Sequence, residues 1–355
     1  VFYILVVAFI LIKLRNYLII KTKVNYVLTA IVILHIFIYP PIRIIKKQSI
    51  NELSLINFMR SNGNFLISYP VNVYFAYCDA LYEISRQKKI INAKSDFKPQ
   101  VSNTEFDTYV VVIGESARRD AHHAYGFKIE NTPFLSNIPK LQFNNYIAAS
   151  GSTNHSLTNT LFLHYLKGSN VGNNVVDLAN LAGFNTYWLS NQFEAGSHNG
   201  AIGAIGQKAK RYKFLNSANA DNISNDDINL MPFVADAIND QINNKKVIFV
   251  HLYGSHFPFC KRTKNKFDVF YVDKNLSCYV HSIKQTDALL QEIYQLLQTN
   301  KKQTNKDWAL MYFADHGLSA KNSRTYISYI THGDEYKVNA DVPFVILNSK
   351  LTQTK

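Results

Sequence analysis

The sequence predicts an α/β sandwich built on a mostly parallel central sheet, preceded by a partial transmembrane helical region. Three observations carry this expectation. Apolar, largely β-branched or aromatic runs such as Tyr109–Ile113 and Ala309–Phe313 suit strands covered on both faces. From Asp107 onward such runs alternate with helical stretches, the pattern of a layered α/β domain. Two of the runs also deliver polar side chains at their ends: Glu115 after Gly114, and Asp315 with His316 before Gly317. In open α/β sheets the carboxyl edge is where ligands bind.

Residues 1–47 differ from the rest. Val1–Ile12 is an unbroken apolar run, and a second, Val27–Ile38, is apolar apart from Thr29 and His35 and approaches spanning length if extended from about Tyr26 to Ile45. A spanning helix needs roughly 20 apolar residues, so the pair reads as the end of a membrane domain, with a buried helical hairpin as the alternative. Lysines and arginines lie both between the runs and after the second, so charge does not orient them. Residues 48–105 read as a connector. Within it, Tyr69–Tyr77 is aromatic and amphipathic, fitting either a membrane interface or packing against the folded part. Arg86–Lys98 is polar and basic, as a linker would be.

Residues 106–355 form the expected catalytic domain. Its strand candidates are Tyr109–Ile113, Asn145–Ala149, Asn185–Leu189, Val247–Leu252, Ala309–Phe313 and Pro343–Leu347. Asp226–Ile242 and Leu276–Leu297 read as helices, the latter with a core-facing apolar stripe. The 355 residues are 47% hydrophobic, ample for a core of this size. A net charge of +13 suits nucleic acid, anionic lipid or simply a basic surface, but no nucleic-acid motif accompanies it, and no nucleic-acid partner is expected. Cys260 and Cys278 flank one loop, which suits a disulfide in an oxidising compartment, although free thiols fit the sequence equally.

Glu115, Asp315 and His316 together offer two hard oxygens and an imidazole, a set zinc accepts with one position left open. Ser150–Thr158 follows a strand candidate and opens a helix expected to run through Leu166. Hydroxyls there serve as N-caps or, with the helix dipole, face a phosphoryl group. A metal-bound hydroxyl would be a nucleophile. His256 and His332 each lie beyond a strand end and suit donors to anionic oxygens or ligands of a second ion.

With those residues in order, the chain resembles the phosphoethanolamine transferases of Gram-negative envelopes, within the alkaline phosphatase and sulfatase superfamily. The resemblance runs over roughly 107–348, through Gly114-Glu115-Ser116-Ala117-Arg118, Asn131-Thr132-Pro133, Ser150–Thr158, Gly254-Ser255-His256, Ala314-Asp315-His316-Gly317 and His332-Gly333. It implies an alkaline-phosphatase-like α/β/α sandwich in the periplasm, attached to inner-membrane helices. It further implies one tightly bound Zn2+, with a second possible, held by Glu115, Thr153, Asp315 and His316. Thr153 would be the catalytic nucleophile, with Ser116 and Ser152 as fallbacks because the preceding residues depart from the family's usual Ser-Cys-Gly-Thr. His256, His332, Asn191 and His198 would bind substrate, and Cys260–Cys278 would be the bridge. The implied reaction moves phosphoethanolamine from phosphatidylethanolamine to a lipopolysaccharide acceptor, lipid A or a core sugar, through a phosphothreonine-type intermediate. Phosphoglycerol transfer and hydrolysis on the same scaffold are the rivals, although the Cys/Ser-x-Pro-x-Arg context of sulfatases is absent from the sequence. The resemblance also leads one to expect a piece of a longer protein, lacking upstream helices and a C-terminal segment.

Overall fold

The computed structural model describes residues 65–100, 104–163, 170–195, 200–216, 226–241, 245–271, 273–322, 327–333 and 336–351. The two apolar runs within residues 1–47 lie outside the described residues. Contacts divide the chain into two compact units, Val1–Tyr82 and Glu83–Lys355. No helix among the described residues is long and apolar enough to cross a membrane.

Helix α1 (Phe65–Asn92) includes both the aromatic Tyr69–Tyr77 stretch and the first half of the expected linker. Arg86–Asn92 is helical because it has something to pack and something to end it. Ile90 is buried, and Lys208 Nζ donates to the carbonyls of Ile90, Ile91 and Ala93 at 3.3, 3.5 and 2.6 Å. A cation there satisfies the orphan C-terminal carbonyls and opposes the helix dipole.

The remaining elements follow in order: β1 (Thr108–Gly114), α2 (Pro133–Asn137), β2 (Leu141–Gln142), α3 (Thr153–Leu161), α4 (Val175–Leu181), β3 (Asn185–Phe193), α5 (Gly200–Gly206), β4 (Arg211–Asn216), α6 (Met231–Asn239), β5 (Lys246–His251), α7 (Phe259–Arg262), α8 (Lys274–Thr304), β6 (Trp308–Ala314), β7 (Ser319–Asn322), β8 (Ile327–Thr331) and β9 (Phe344–Asn348). Seven strands form one sheet in the order β2-β9-β6-β1-β5-β3-β4, and β7 pairs with β8 in a separate hairpin. β1 is parallel to β5 and β6, and β3 is parallel to β4 and β5; β9 is antiparallel to both its neighbours. The sheet is thus mixed but mostly parallel.

The unbroken apolar runs have the expected cause. One face of the sheet, through Val110, Val112, Ile248, Val250 and Leu310, packs on Leu290, Ile293 and Leu297 of α8 and Val234 and Ile238 of α6. The other face, through Ile113, Trp188, Phe249 and Phe313, packs on Leu157 of α3, Val176 of α4 and Ile205 of α5. A third cluster, including Ala117, Phe259, Tyr279, Ala314 and Leu318, contains the disulfide half Cys278.

Three expectations differ from what is found. Asn145–Ala149 is no strand, and only Ile147 bridges to Asp341. The expected helix 226–242 divides into a 3-10 turn, Asp227–Leu230, and α6, because Pro232 supplies no amide hydrogen for a helix running through it. Helix α3 ends at Leu161 rather than Leu166, where Phe162 turns away to bridge Asn174.

Candidate metal centre and its comparisons

Register brings the two acid-bearing strands together. β1 and β6 run in phase from Thr108↔Trp308 to Gly114↔Ala314, so Glu115 and Asp315 emerge side by side past the carboxyl edge. The Asp315 amide donates to the Gly114 carbonyl at 3.1 Å, extending the ladder to the metal-ligating residue types. One ligand atom each of Glu115, Asp315 and His316 lies within 4.8 Å of the others, and all three residues are buried.

Each side chain is held from behind. Asp315 Oδ1 accepts the amides of Ser116 at 3.0 Å and His316 at 2.7 Å, while Oδ2 is buried with no hydrogen-bond partner. His316 Nδ1 lies 2.8 Å from the Gly317 carbonyl, which places a proton on Nδ1 and turns Nε2 toward the carboxylates. Glu115 Oε1 accepts the Ser116 hydroxyl at 2.6 Å, and Oε2 accepts Gln192 Nε2 at 3.2 Å. Ser116 adopts a left-handed φ of 57°, which is uncommon for a non-glycine residue.

Thr153, the first residue of α3, joins this group. Its Oγ1 donates to Glu115 Oε2 at 3.0 Å and lies 3.2 Å from His316 Nε2. Ser156, one turn on, donates to the Asp315 carbonyl at 2.5 Å and fastens the helix start to β6. Of the fallback hydroxyls, Ser116 is buried against Glu115, and Ser152 Oγ lies 3.3 Å from His155 Nδ1.

The electrostatics describe carboxylates crowded together. Burial opposes ionisation of Glu115, yet the His316 contact, the charges of His316 and His256, and the Ser116 hydroxyl hold its carboxyl well below the usual range. Burial, then the Glu115 charge, push Asp315 up to about 8. Burial disfavours the His316 cation, but Asp315 and Glu115 raise the imidazole to about 10. A divalent cation fits: two carboxylates, an imidazole presenting Nε2 and the unpartnered Asp315 Oδ2 are what a zinc site offers.

The other expected residues divide. The His332 and His316 rings lie 5.7 Å apart, placing exposed His332 beside the cluster. Half-exposed His256 stands on the turn whose Ser255 amide donates to the Glu115 carbonyl at 2.9 Å. Asn191 does not face the cluster's ligands; its amide donates to Asp227 at 2.7 Å, and it is Gln192 that reaches Glu115. His198 lies outside the described residues. Sequence reasoning passed over Ser156 as a support and Tyr279, whose hydroxyl donates to the Ser116 carbonyl at 2.9 Å. Tyr279 sits in an apolar helical stripe, where nothing distinguishes it from core. Cys260 and Cys278 are joined in a disulfide.

The chain matches the Sulfatase family model over residues 107–355. It is 38% identical over 293 residues to phosphoethanolamine transferase OpgE of Escherichia coli K12, covering 82% of this chain and 55% of that protein. The chain spans about half the length of the curated relatives it matches. Among solved structures, the C-terminal periplasmic domain of E. coli EcEptC in complex with Zn aligns with a TM-score of 0.60 at 23% identity, over 73% of this chain and 77% of that one. The integral membrane protein lipooligosaccharide phosphoethanolamine transferase A of Neisseria meningitidis aligns with a TM-score of 0.53 at 16% identity, over 85% of this chain and 59% of that one. These two alignments agree with the sandwich found here, and the chain belongs to the sulfatase family.

Proposed function

We propose that this chain carries the catalytic domain of a zinc-dependent phosphoethanolamine transferase. It would take the group from phosphatidylethanolamine and pass it to a lipopolysaccharide acceptor, lipid A or a core sugar. One observation carries the reading: the Thr153 hydroxyl, at a helix N-terminus, contacts two of the three clustered metal-ligating side chains. Glu115, Asp315 and His316 would hold the ion with Thr153 Oγ1. When bound, the ion supplies positive charge that lowers the pKa of the threonine hydroxyl and offsets charge on the phosphoryl oxygens.

The chain's own groups account for the rest. Thr153 Oγ1 points its proton at Glu115 Oε2, leaving an oxygen lone pair for phosphorus. Half-exposed Thr153 can meet a lipid headgroup, whereas Ser116 is buried, which favours threonine as nucleophile. Attack forms a Thr153–phosphorus bond and releases diacylglycerol; an acceptor oxygen then takes the phosphoethanolamine and frees the threonine. His256 and His332 would donate to phosphoryl oxygens. The disulfide suits an oxidising compartment, and the resemblance supports an inner-membrane anchor with this domain in the periplasm.

The test is mass spectrometry of the protein incubated with phosphatidylethanolamine. A phosphoethanolamine adduct on the peptide containing Thr153, absent from Thr153→Ala, is expected. An adduct on Ser116 would reassign the nucleophile, and a phosphoglycerol adduct from mixed lipids would replace the donor.

A further inference from the structure

The turn bearing His256 is gripped by a charge pair from outside the metal cluster. Asp227 receives four donors: Asn191 Nδ2 at 2.7 Å and the Tyr253 amide at 2.8 Å on one oxygen, the Gly254 amide at 2.9 Å and Arg262 Nη2 at 3.0 Å on the other. Arg262, 5% exposed, also donates from Nε to the Gly254 carbonyl at 3.0 Å. Its guanidinium lies 4.7 Å from the Tyr253 ring centre, and that ring is 4.7 Å from the His256 imidazole. Gly254 has φ +46°, and a Cβ there would stand 2.8 Å from the Glu115 amide nitrogen. The turn is therefore pressed against a metal-ligating residue and cannot settle by relaxing inward.

A buried ion pair of this kind is weak support for stability, since desolvation offsets much of the attraction. A guanidinium is nevertheless suited to it. The planar fork serves a carbonyl and a carboxylate at once, which a lysine ammonium cannot do with the same geometry.

We propose that Asp227 and Arg262 are positioning residues for the transfer reaction, fixing Tyr253–His256 so that the His256 imidazole faces the phosphoryl group. This rests on the functional reading of His256 given above. Asn191 thereby belongs to the support of the turn.

A double-mutant cycle tests the proposal. Arg262→Gln is expected to lower kcat about 100-fold, the scale of an ångström-sized misplacement, with KM for phosphatidylethanolamine changed less than about 3-fold. In a His256→Ala background the same substitution should cost less than about 3-fold; a full additional 100-fold would show that Arg262 acts elsewhere and overturn the proposal. Arg262→Lys should fall between wild type and Arg262→Gln, which separates positioning from bulk folding. The ring-carbon NMR signal of His256, assigned by its loss in His256→Ala, should shift in Arg262→Lys and Asp227→Asn; an unmoved signal in both also overturns it. If the wild type transfers no phosphoethanolamine, the functional reading fails by itself, and the His256 signal still decides whether the pair positions this ring.

Discussion

Gln192 shows how much of the centre is decided one shell outward. Its amide donates to the same Glu115 oxygen that receives the Thr153 hydroxyl, so it orients the carboxylate without contributing a ligand. Gln192→Leu is expected to weaken zinc binding about 10–100-fold, read by competition with a chromophoric chelator, with far-UV circular dichroism unchanged. His122 makes a different prediction. It is buried, its Nδ1 lies 2.7 Å from the Arg118 carbonyl, and burial, partly offset by that contact, pushes its imidazole down to about 4. Below the ordinary value near 6.5 the unfolded chain binds a proton the folded protein refuses. Stability is thus present above that pH and is lost as pH falls toward 4, by on the order of 3 kcal/mol. Denaturant unfolding at several pH values checks this, and His122→Gln should flatten the slope.

At the scale of elements, the segment leading into α3 and the His332 loop meet backbone to backbone. The Gly333 amide donates to the Gly151 carbonyl at 2.9 Å, and a Cβ on Gly151 would come within 2.2 Å of the Gly333 oxygen. Gly151→Ala must separate Thr153 from His332 and is expected to cost about 1–3 kcal/mol of stability, as overpacking does, along with most of the transfer activity. Chemical denaturation and turnover measured together would show both losses. The elements differ in how plainly the chain announces them. β1 and β6 were legible because burial on both faces leaves no polar interruption, and Glu115, Asp315 and His316 because polarity begins where those runs stop. β4 was not among the strand candidates, since three of its six residues are exposed and Arg211 and Lys213 break any apolar run. α5, Gly-Ala-Ile-Gly-Ala-Ile-Gly, carries no such pattern, yet it is wholly buried, with Gly203 against the Glu194 carbonyl and Gly206 against Trp188. Asp227 and Arg262 lie in polar stretches far apart in the chain, and only the fold reveals them as a pair.

For the whole molecule, the centre is a source of stability as well as chemistry. Asp315 and His316 crowd against Glu115 in raised protonation states that a bound divalent ion would relieve. Zinc at 100 times its dissociation constant should add about 2.7 kcal/mol to the folded state. Chelator treatment should therefore lower Tm and zinc should restore it, whereas magnesium, which prefers six oxygen ligands, should not. An unchanged Tm across chelation and zinc addition would count against a metal at this position.

The in-phase pairing of β1 with β6 has a wider consequence. Two neighbouring strand tips, two hundred residues apart in sequence, place the two carboxylates of the candidate pocket by ladder geometry. Segments between them that do not touch Glu115, Asp315 or His316 can lengthen, shorten or change chemistry without retuning that corner. What the domain accepts can then be rewritten in those segments while the two carboxylates stay where the sheet puts them.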